Sequence, residues 1–230
     1  MVLQEISHNL WIHDGETVSF LGLPYSTRMT VIKLEQNRLW VYSPTALVPE
    51  LKAAIDSLGE VSYLITPNKL HYLFLPQWAA AYPQAMRYAA PGLIGKRPDI
   101  AFDKELSSEA EPVWRKDIKQ TVFSGSSVMK EVVFFHEASK TLILADLIEN
   151  FDPLVFTPWQ RFVAKLTGIL APNGRTPVDW RMSFVFGKKQ ARAALKTMLA
   201  WQPENIIIAH GQCIFGNATE FLRRSFAWLE

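Results

Sequence analysis

Period-two alternation is the first regularity along the chain. Between 29 and 34, Met29, Val31 and Lys33 share one face, and Thr30, Ile32 and Leu34 share the other. The polar triplet Gln36-Asn37-Arg38 follows, and 39–42 (LWVY) runs back, which predicts a β-hairpin. A shorter strand is expected at 10–13 (LWIH). Residues 16–27, broken by Gly22, Pro24 and Ser26, read as a loop. Helical spacing then takes over. Leu51, Ala54, Ile55 and Leu58 recur on one face after Pro49, and Gly59 ends the run. Residues 61–65 (VSYLI) are nearly all apolar, as in a strand covered on both faces. A helix over 73–82, with Pro76 in its first turn, and a strand over 86–89 come next.

Residues 98–120 show no clear period. Strands are expected at 131–135 and 141–145, joined by the turn 137–140. The segment 159–170 predicts an amphipathic helix, with Phe162, Val163, Leu166, Ile169 and Leu170 on one side and Arg161 and Lys165 on the other. A loop over 171–180, a helix over 188–201, a strand over 206–209 and a last helix over 218–229 complete the chain. Hairpins, then strand–helix alternation, then hairpins again, then strand and helix describe an α/β protein. The sheet is either mixed, or there are two sheets between layers of helices.

Composition narrows the class. The 230 residues favour a single domain with a sizeable core. A 49% hydrophobic and 20% charged content belongs to a folded globular chain. The net charge of +2 leaves no footprint for nucleic acid. The lone Cys213 excludes an internal disulfide and a cysteine-rich zinc cluster. It suits a reducing compartment, so a cytoplasmic location is expected. The opening MVLQEISHNLW lacks the pattern of a secretion signal, and no apolar run is long enough to span a bilayer.

Chemistry concentrates where strands end. His8 falls in an expected turn, His13 ends a strand, and His136 reads as a surface residue beside a polar turn. His71 and His210 each follow an apolar strand, SYLIT and NIIIA, and a third such strand, TLILA, runs into Asp146. In α/β sheets ligands collect beyond the C-terminal ends of strands. Imidazole and carboxylate suit zinc, iron or manganese. An Asp after a strand also caps turns, and a His before Gly211 also satisfies carbonyls, so the structural reading stays open for each residue alone.

These residues and their order resemble the metallo-β-lactamase fold superfamily, and more closely a branch known only as a domain of unknown function. The resemblance spans nearly the whole chain: the N-terminal hairpin, the ITPNKLH loop, the LILAD strand end and the IIAHG turn. It implies one domain over 1–230, folded as an α/β αββα four-layer sandwich with a metal site at one sheet edge and an aromatic helical insert at about 156–180. The superfamily motif is Thr-His-x-His-x-Asp-His. Laid on Thr66, its two leading His fall on Pro67 and Lys69, its Asp on His71 and its last His on Tyr72. The Gly-His-Thr histidine falls on Ser126, the bridging Asp on Asp146 and the late His on His210. An Asp after the early hairpin falls on Ser43 or Pro44. The ligands of one metal are therefore replaced, while His71, Asp146 and His210 remain for the other.

Two readings follow. In one, the dinuclear motif is lost and the protein is non-hydrolytic, binding an unidentified small molecule. Lys69, His71, Asp146 and His210 then form a metal-free cluster. In the other, His71, Asp146 and His210 hold a single divalent ion (Zn, Fe or Mn) in a hydrolase of an ester, thioester or phosphoester, with Lys69 or Tyr72 stabilising developing charge. The insert, with Trp159, Phe162 and Trp180, offers a third possibility: an interaction surface or homodimer contact, a lid over the strand ends, or a membrane-surface helix, for which it carries few basic residues; plain core packing stays open beside these. The stretch 149–152 reads as a helix cap, or else adds oxygen ligands or lines the pocket after Asp146; Arg175 and Arg181 read as soluble surface or an anion site, and Cys213 as a small buried group or a nucleophile near His210.

Overall fold

The computed structural model describes residues 2–20 and 22–230, which form two compact units, Met1–Glu16 with Thr27–Ser107 and Thr17–Ser26 with Ser108–Glu230. In chain order the first strands are β1 (Gln4–Ser7) and β2 (Leu10–Asp14), then β3 (Val18–Phe20) and β4 (Leu23–Tyr25), a hairpin of the second unit. The first unit resumes with β5 (Arg28–Lys33), β6 (Arg38–Tyr42), β7 (Glu60–Thr66), β8 (Met86–Ala89) and β9 (Lys104–Glu105). Its sheet runs β1-β2-β5-β6-β7-β8-β9, antiparallel up to β6 and parallel from β6 onward. The change of sense has a local cause. The hairpin turn at 35–37 reverses the chain, whereas helices α1 (Pro49–Leu58) and α2 (Leu75–Ala81) carry it back to start each parallel strand at the same edge.

Those helices bury one stripe each. Leu51 and Ile55 of α1, with Leu75 and Trp78 of α2, pack on Met29, Val31, Leu39, Val41 and Leu64. This is the face that period-two alternation assigns to Met29 and Val31. Helix α1 ends at Gly59, where the backbone turns extended; only glycine fits, because a Cβ would lie 2.1 Å from the Asn37 carbonyl oxygen. A short helix, α3 (Leu93–Lys96), precedes β9.

The second unit holds β10 (Ile118–Phe123), β11 (Glu131–His136), β12 (Thr141–Leu144), β13 (Asn205–Ile208) and β14 (Ile214–Phe215), paired in that order. Only β12 and β13 are parallel. Helices α4 (Pro158–Thr167), α5 (Val178–Met182), α6 (Lys188–Ala200) and α7 (Ala218–Ser225) follow. Phe123, Leu142, Leu144, Ile206 and Ile208 form a core with Ala191 and Met198 of α6 and Leu222 of α7. Among the described residues no helix is long and apolar enough to cross a membrane.

Several expectations change. Residues 16–27 are not a simple loop but carry the hairpin β3/β4. Pro24 sits opposite Ser19 in this two-stranded ribbon, where its missing N–H interrupts no central ladder; Leu21, within that stretch, lies outside the described residues. The 159–170 helix stops at Thr167, where Gly168 takes φ +81°, and the last helix gives way to a 3-10 turn at Ala227–Leu229. The loop over 171–180 runs into α5 at Val178. His136 is buried, not on the surface, because the turn after β11 folds back and Ser139 Oγ meets its Nδ1 at 2.7 Å. Burial holds its pKa below the ordinary 6.5.

The end of β12 is closed by a side chain. The antiparallel register of β11 and β12 pairs Phe134 with Ile143, and continued it would bring Glu131 opposite Asp146. Instead the buried Glu131 carboxylate accepts hydrogen bonds from the Ala145 and Asp146 N–H groups, both at 2.8 Å. Glu131→Ala leaves two buried donors without this acceptor. It is expected to lower unfolding free energy by about 2–5 kcal/mol, with Glu131→Gln milder, as read from urea midpoints. His136 gives a pH signature. Its folded pKa is depressed, so the unfolded chain binds the extra proton and stability is lost as pH falls below the ordinary 6.5. His136→Gln is expected to remove that component, worth at most ~1.4 kcal/mol per pH unit, from the dependence of Tm on pH between 5 and 7.5.

Candidate functional site

In the second unit the parallel pair β12 and β13 sets the geometry. Leu144 pairs with Ile208. Two residues further along each strand stand Asp146 and His210, carried past the same sheet edge side by side. His210 Nε2 lies 2.9 Å from Asp146 Oδ1, with both side chains 7% exposed. Asp146 is held at its backbone by Glu131. His210 is held by the hairpin: its Nδ1 is 2.6 Å from the Ser26 carbonyl oxygen, and Ser26 Oγ accepts from the Gly211 N–H at 3.0 Å. Gly211 is required here. At φ +93° its Cα backs directly onto Asn150, whose carbonyl oxygen would lie 2.2 Å from any Cβ.

The Ser26 carbonyl only accepts, so Nδ1 of His210 carries a proton and donates it. Nε2 therefore faces a carboxylate with either a second proton or a lone pair. As a lone pair it accepts from a protonated Asp146 carboxyl or shares a cation with the carboxylate. Burial pulls the His210 pKa down, but the Asp146 hydrogen bond and charge, together with the Glu149 charge and the Ser26 carbonyl, outweigh it, and the net displacement is upward.

Glu149 and Tyr25 complete this neighbourhood. The Tyr25 hydroxyl donates to Glu149 at 3.2 and 3.3 Å, and its ring meets His210 edge-on with centroids 5.1 Å apart. Burial pushes the Glu149 carboxyl up to about 8; the Asp146 charge adds to this, while His210 and the Tyr25 hydrogen bond oppose it. Burial, then the Glu149 charge, holds the Tyr25 hydroxyl above its ordinary value. Glu149 is thus a buried member of the cluster, not a helix cap; the cap is Asp152, which accepts from the Leu154 N–H at 2.8 Å.

The first unit repeats the device. Strands β6 and β7 are parallel, with Tyr42 beside Ile65, so Ser43 and the loop after Thr66 leave the sheet at one edge. Asn68 Oδ1 accepts from the N–H groups of Leu70 and His71 at 2.8 and 3.2 Å, which shapes that loop. Ser43 Oγ then sits 2.6 Å from His71 Nδ1, so Nε2 is the nitrogen turned away from Ser43. Pro67 is buried and offers no donor atom. The Lys69 side chain runs over Gly92, which has no room for a Cβ beneath the amine. Tyr72 lies under two cations, with the Arg97 guanidinium 4.5 Å and the Lys96 amine 5.2 Å from its ring centre.

Ser126 has become a structural hub. Its hydroxyl contacts Ser183 Oγ at 2.7 Å and accepts from the Val128, Met129 and Trp180 N–H groups at 3.0, 3.1 and 3.3 Å. His13 meets the Val2 carbonyl oxygen through Nδ1 at 2.6 Å. Cys213 is half-buried and forms no disulfide. Arg175 is exposed and packs its stem against Gly168, while burial, then Arg175, lowers the Arg181 pKa.

Sequence reasoning missed Glu131, Tyr25 and Ser26. Glu131 opens an apolar strand, where a carboxylate has no reason to lie unless backbone donors await it; that was its only signal. Tyr25 and Ser26 lie in a stretch whose Gly22 and Pro24 mask the hairpin.

Among curated protein sequences none matches the chain. Solved structures share its fold. The DIM-1 metallo-β-lactamase exposed to ceftazidime is 14% identical with a TM-score of 0.67, covering 99% of this chain and 95% of that one. The metal-soaked Flv1 flavodiiron core from Synechocystis sp. PCC6803 is 12% identical at a TM-score of 0.67, covering 99% and 60%. The putative diflavin flavoprotein A 5 fragment from Nostoc sp. PCC 7120 is 12% identical at 0.67, covering 99% and 94%. At such identities the likeness concerns the fold alone, and the fold is that of the metallo-β-lactamases. Residues 8–156, well over half of the chain, match a family whose description carries no activity. The chain therefore belongs to the family described as Domain of unknown function (DUF4336), on a metallo-β-lactamase fold.

Proposed function

We propose that this protein holds one divalent metal ion in place of a two-ion centre, with Asp146 and His210 as ligands in the second unit and His71 as the third ligand that the motif alignment adds. The observation that carries the reading is the orientation of His210. With Nδ1–H given to the Ser26 carbonyl, Nε2 is aimed at the Asp146 carboxylate, an arrangement that one cation between them would satisfy. Metal-binding histidines characteristically donate their other ring nitrogen in this way. The Ser43 contact on His71 Nδ1 has the same character.

A second ion does not fit. Pro67 has no ligand atom, Ser126 is committed to four neighbours, and Lys69 would bring a positive charge. The two-cation clamp of dinuclear hydrolysis is therefore outside this reading. A single ion held by three protein ligands would act as a Lewis acid on an oxygen-bearing small molecule. Ester, thioester and phosphoester hydrolysis are the reactions that such a site supports. In this reading Lys69 supplies positive charge to an anionic ligand. Tyr72, held by Arg97 and Lys96, offers a hydroxyl rather than a metal ligand.

The second reading is a metal-free binding protein in which a proton takes the cation's place and His210 and Asp146 form an ion pair. The upward displacement of the His210 pKa favours it.

Metal titration separates the two readings. Chelator-treated protein is expected to take up one Zn, Fe or Mn ion per chain. Asp146→Asn and His210→Ala should each abolish uptake, and Ser43→Ala should weaken it by about 10–100-fold. Two ions per chain, or none of the three metals bound, would refute the proposal. Hydrolysis of ester, thioester or phosphoester probes by the loaded protein, lost in His210→Ala, would make it an enzyme.

A further inference from the structure

The described residues carry an apolar surface that the site does not use. More than half of their exposed large apolar side chains fall within 154–186. Helix α4 is firmly defined, with a Thr157–Gln160 capping box, Pro158 in its first turn and Gly168 at its end. Yet it presents its aromatic stripe to solvent. Trp159, Phe162 and Leu166, spaced three and four apart, are 70%, 53% and 67% exposed, with the two rings stacked at 5.7 Å. The opposite face, through Ala164, packs with Phe151, Phe156 and Ile169. The apolar side that the sequence assigns to Phe162 and Leu166 is thus split: these two face outward while Ile169 is buried. Just before the helix, Leu154 is 80% exposed. A second apolar tip follows α5, where Met182 and Val185 are exposed and Phe186 is completely so.

Charge says what covers this surface. Between 154 and 192 the chain has seven basic residues (Arg161, Lys165, Arg175, Arg181, Lys188, Lys189 and Arg192) and one acidic residue, Asp179. The whole chain is only +2, so the remainder is net acidic. Lys165 flanks the α4 stripe, and Lys188 and Lys189 adjoin Phe186. Pairing with a second copy would set these like charges against each other. Projecting aromatic and aliphatic tips beside Lys165, Lys188 and Lys189 match an anionic bilayer, where apolar groups enter the headgroup boundary and each basic residue adds attraction.

We propose that the second unit docks, through the exposed face of α4 and the apolar tip at 182–186, onto the surface of an anionic lipid membrane. The contact is peripheral and is independent of metal occupancy.

The test is co-sedimentation of the full chain with vesicles of phosphatidylcholine containing ~30% phosphatidylglycerol, against phosphatidylcholine alone, at low and high salt. Binding is expected with the anionic vesicles and to weaken with salt. Trp159→Ser/Phe162→Ser and Phe186→Ser should each weaken it by about tenfold or more while leaving Tm unchanged. Brominated lipid should quench indole fluorescence in the parent and less so in Trp159→Phe. Failure to bind anionic vesicles at low salt would overturn the proposal. So would binding that the apolar substitutions leave intact. A concentration-dependent dimer that the same substitutions dissolve, without vesicle binding, would assign the surface to a second copy or a protein partner instead.

Discussion

Parallel pairing of β12 with β13 is the constraint on which the site depends. Parallel strands in register deliver equivalent residues to the same edge, so Asp146 and His210 meet although 64 positions separate them. The meeting is then fixed from behind. Glu131 binds the backbone at Asp146, and the hairpin supplies a carbonyl that sets which nitrogen of His210 faces the carboxylate. A flexible edge could not hold an imidazole and a carboxylate 2.9 Å apart with both nearly buried. Each of the two groups would move apart or recover water if its backbone were free to do so.

The first unit reaches an analogous result by the same means. Parallel β6 and β7 bring Ser43 and His71 together, and the Asn68 turn points the histidine. Pro67, Lys69 and Ser126 make local contacts. Pro67 is buried, Lys69 lies over Gly92, and Ser126 ties its loop to α5 through Ser183 and Trp180. Under the single-ion reading, ligation at these positions has given way to local packing and hydrogen bonding.

Electrostatics in the second unit is dominated by exclusion of water. Glu149, His210 and Tyr25 share a buried space, and each depends on the charge state of the others. Burial favours a neutral Glu149 near neutral pH. The exposed apolar surface at 154–186 obeys a different rule. Along α4 its side chains are held outward by a well-capped helix, so their exposure is a property of the fold.

Periodicity and punctuation in the sequence determined most elements. The β5/β6 hairpin, the α1 helix stopped at Gly59, and the three apolar strands before His71, Asp146 and His210 all lie where local pattern puts them, because these patterns report burial directly. The motif alignment likewise pointed to Ser43, whose Oγ lies 2.6 Å from His71 Nδ1. Tertiary structure alone decided the rest. That His136 is buried, that Glu131 closes a strand end, that Ser26 orients His210, and that the aromatic stripe of α4 faces out depend on what long-range folding places beside each residue. A one-dimensional pattern records how apolar a face is; it does not record which neighbour arrives to cover it, nor whether one arrives at all.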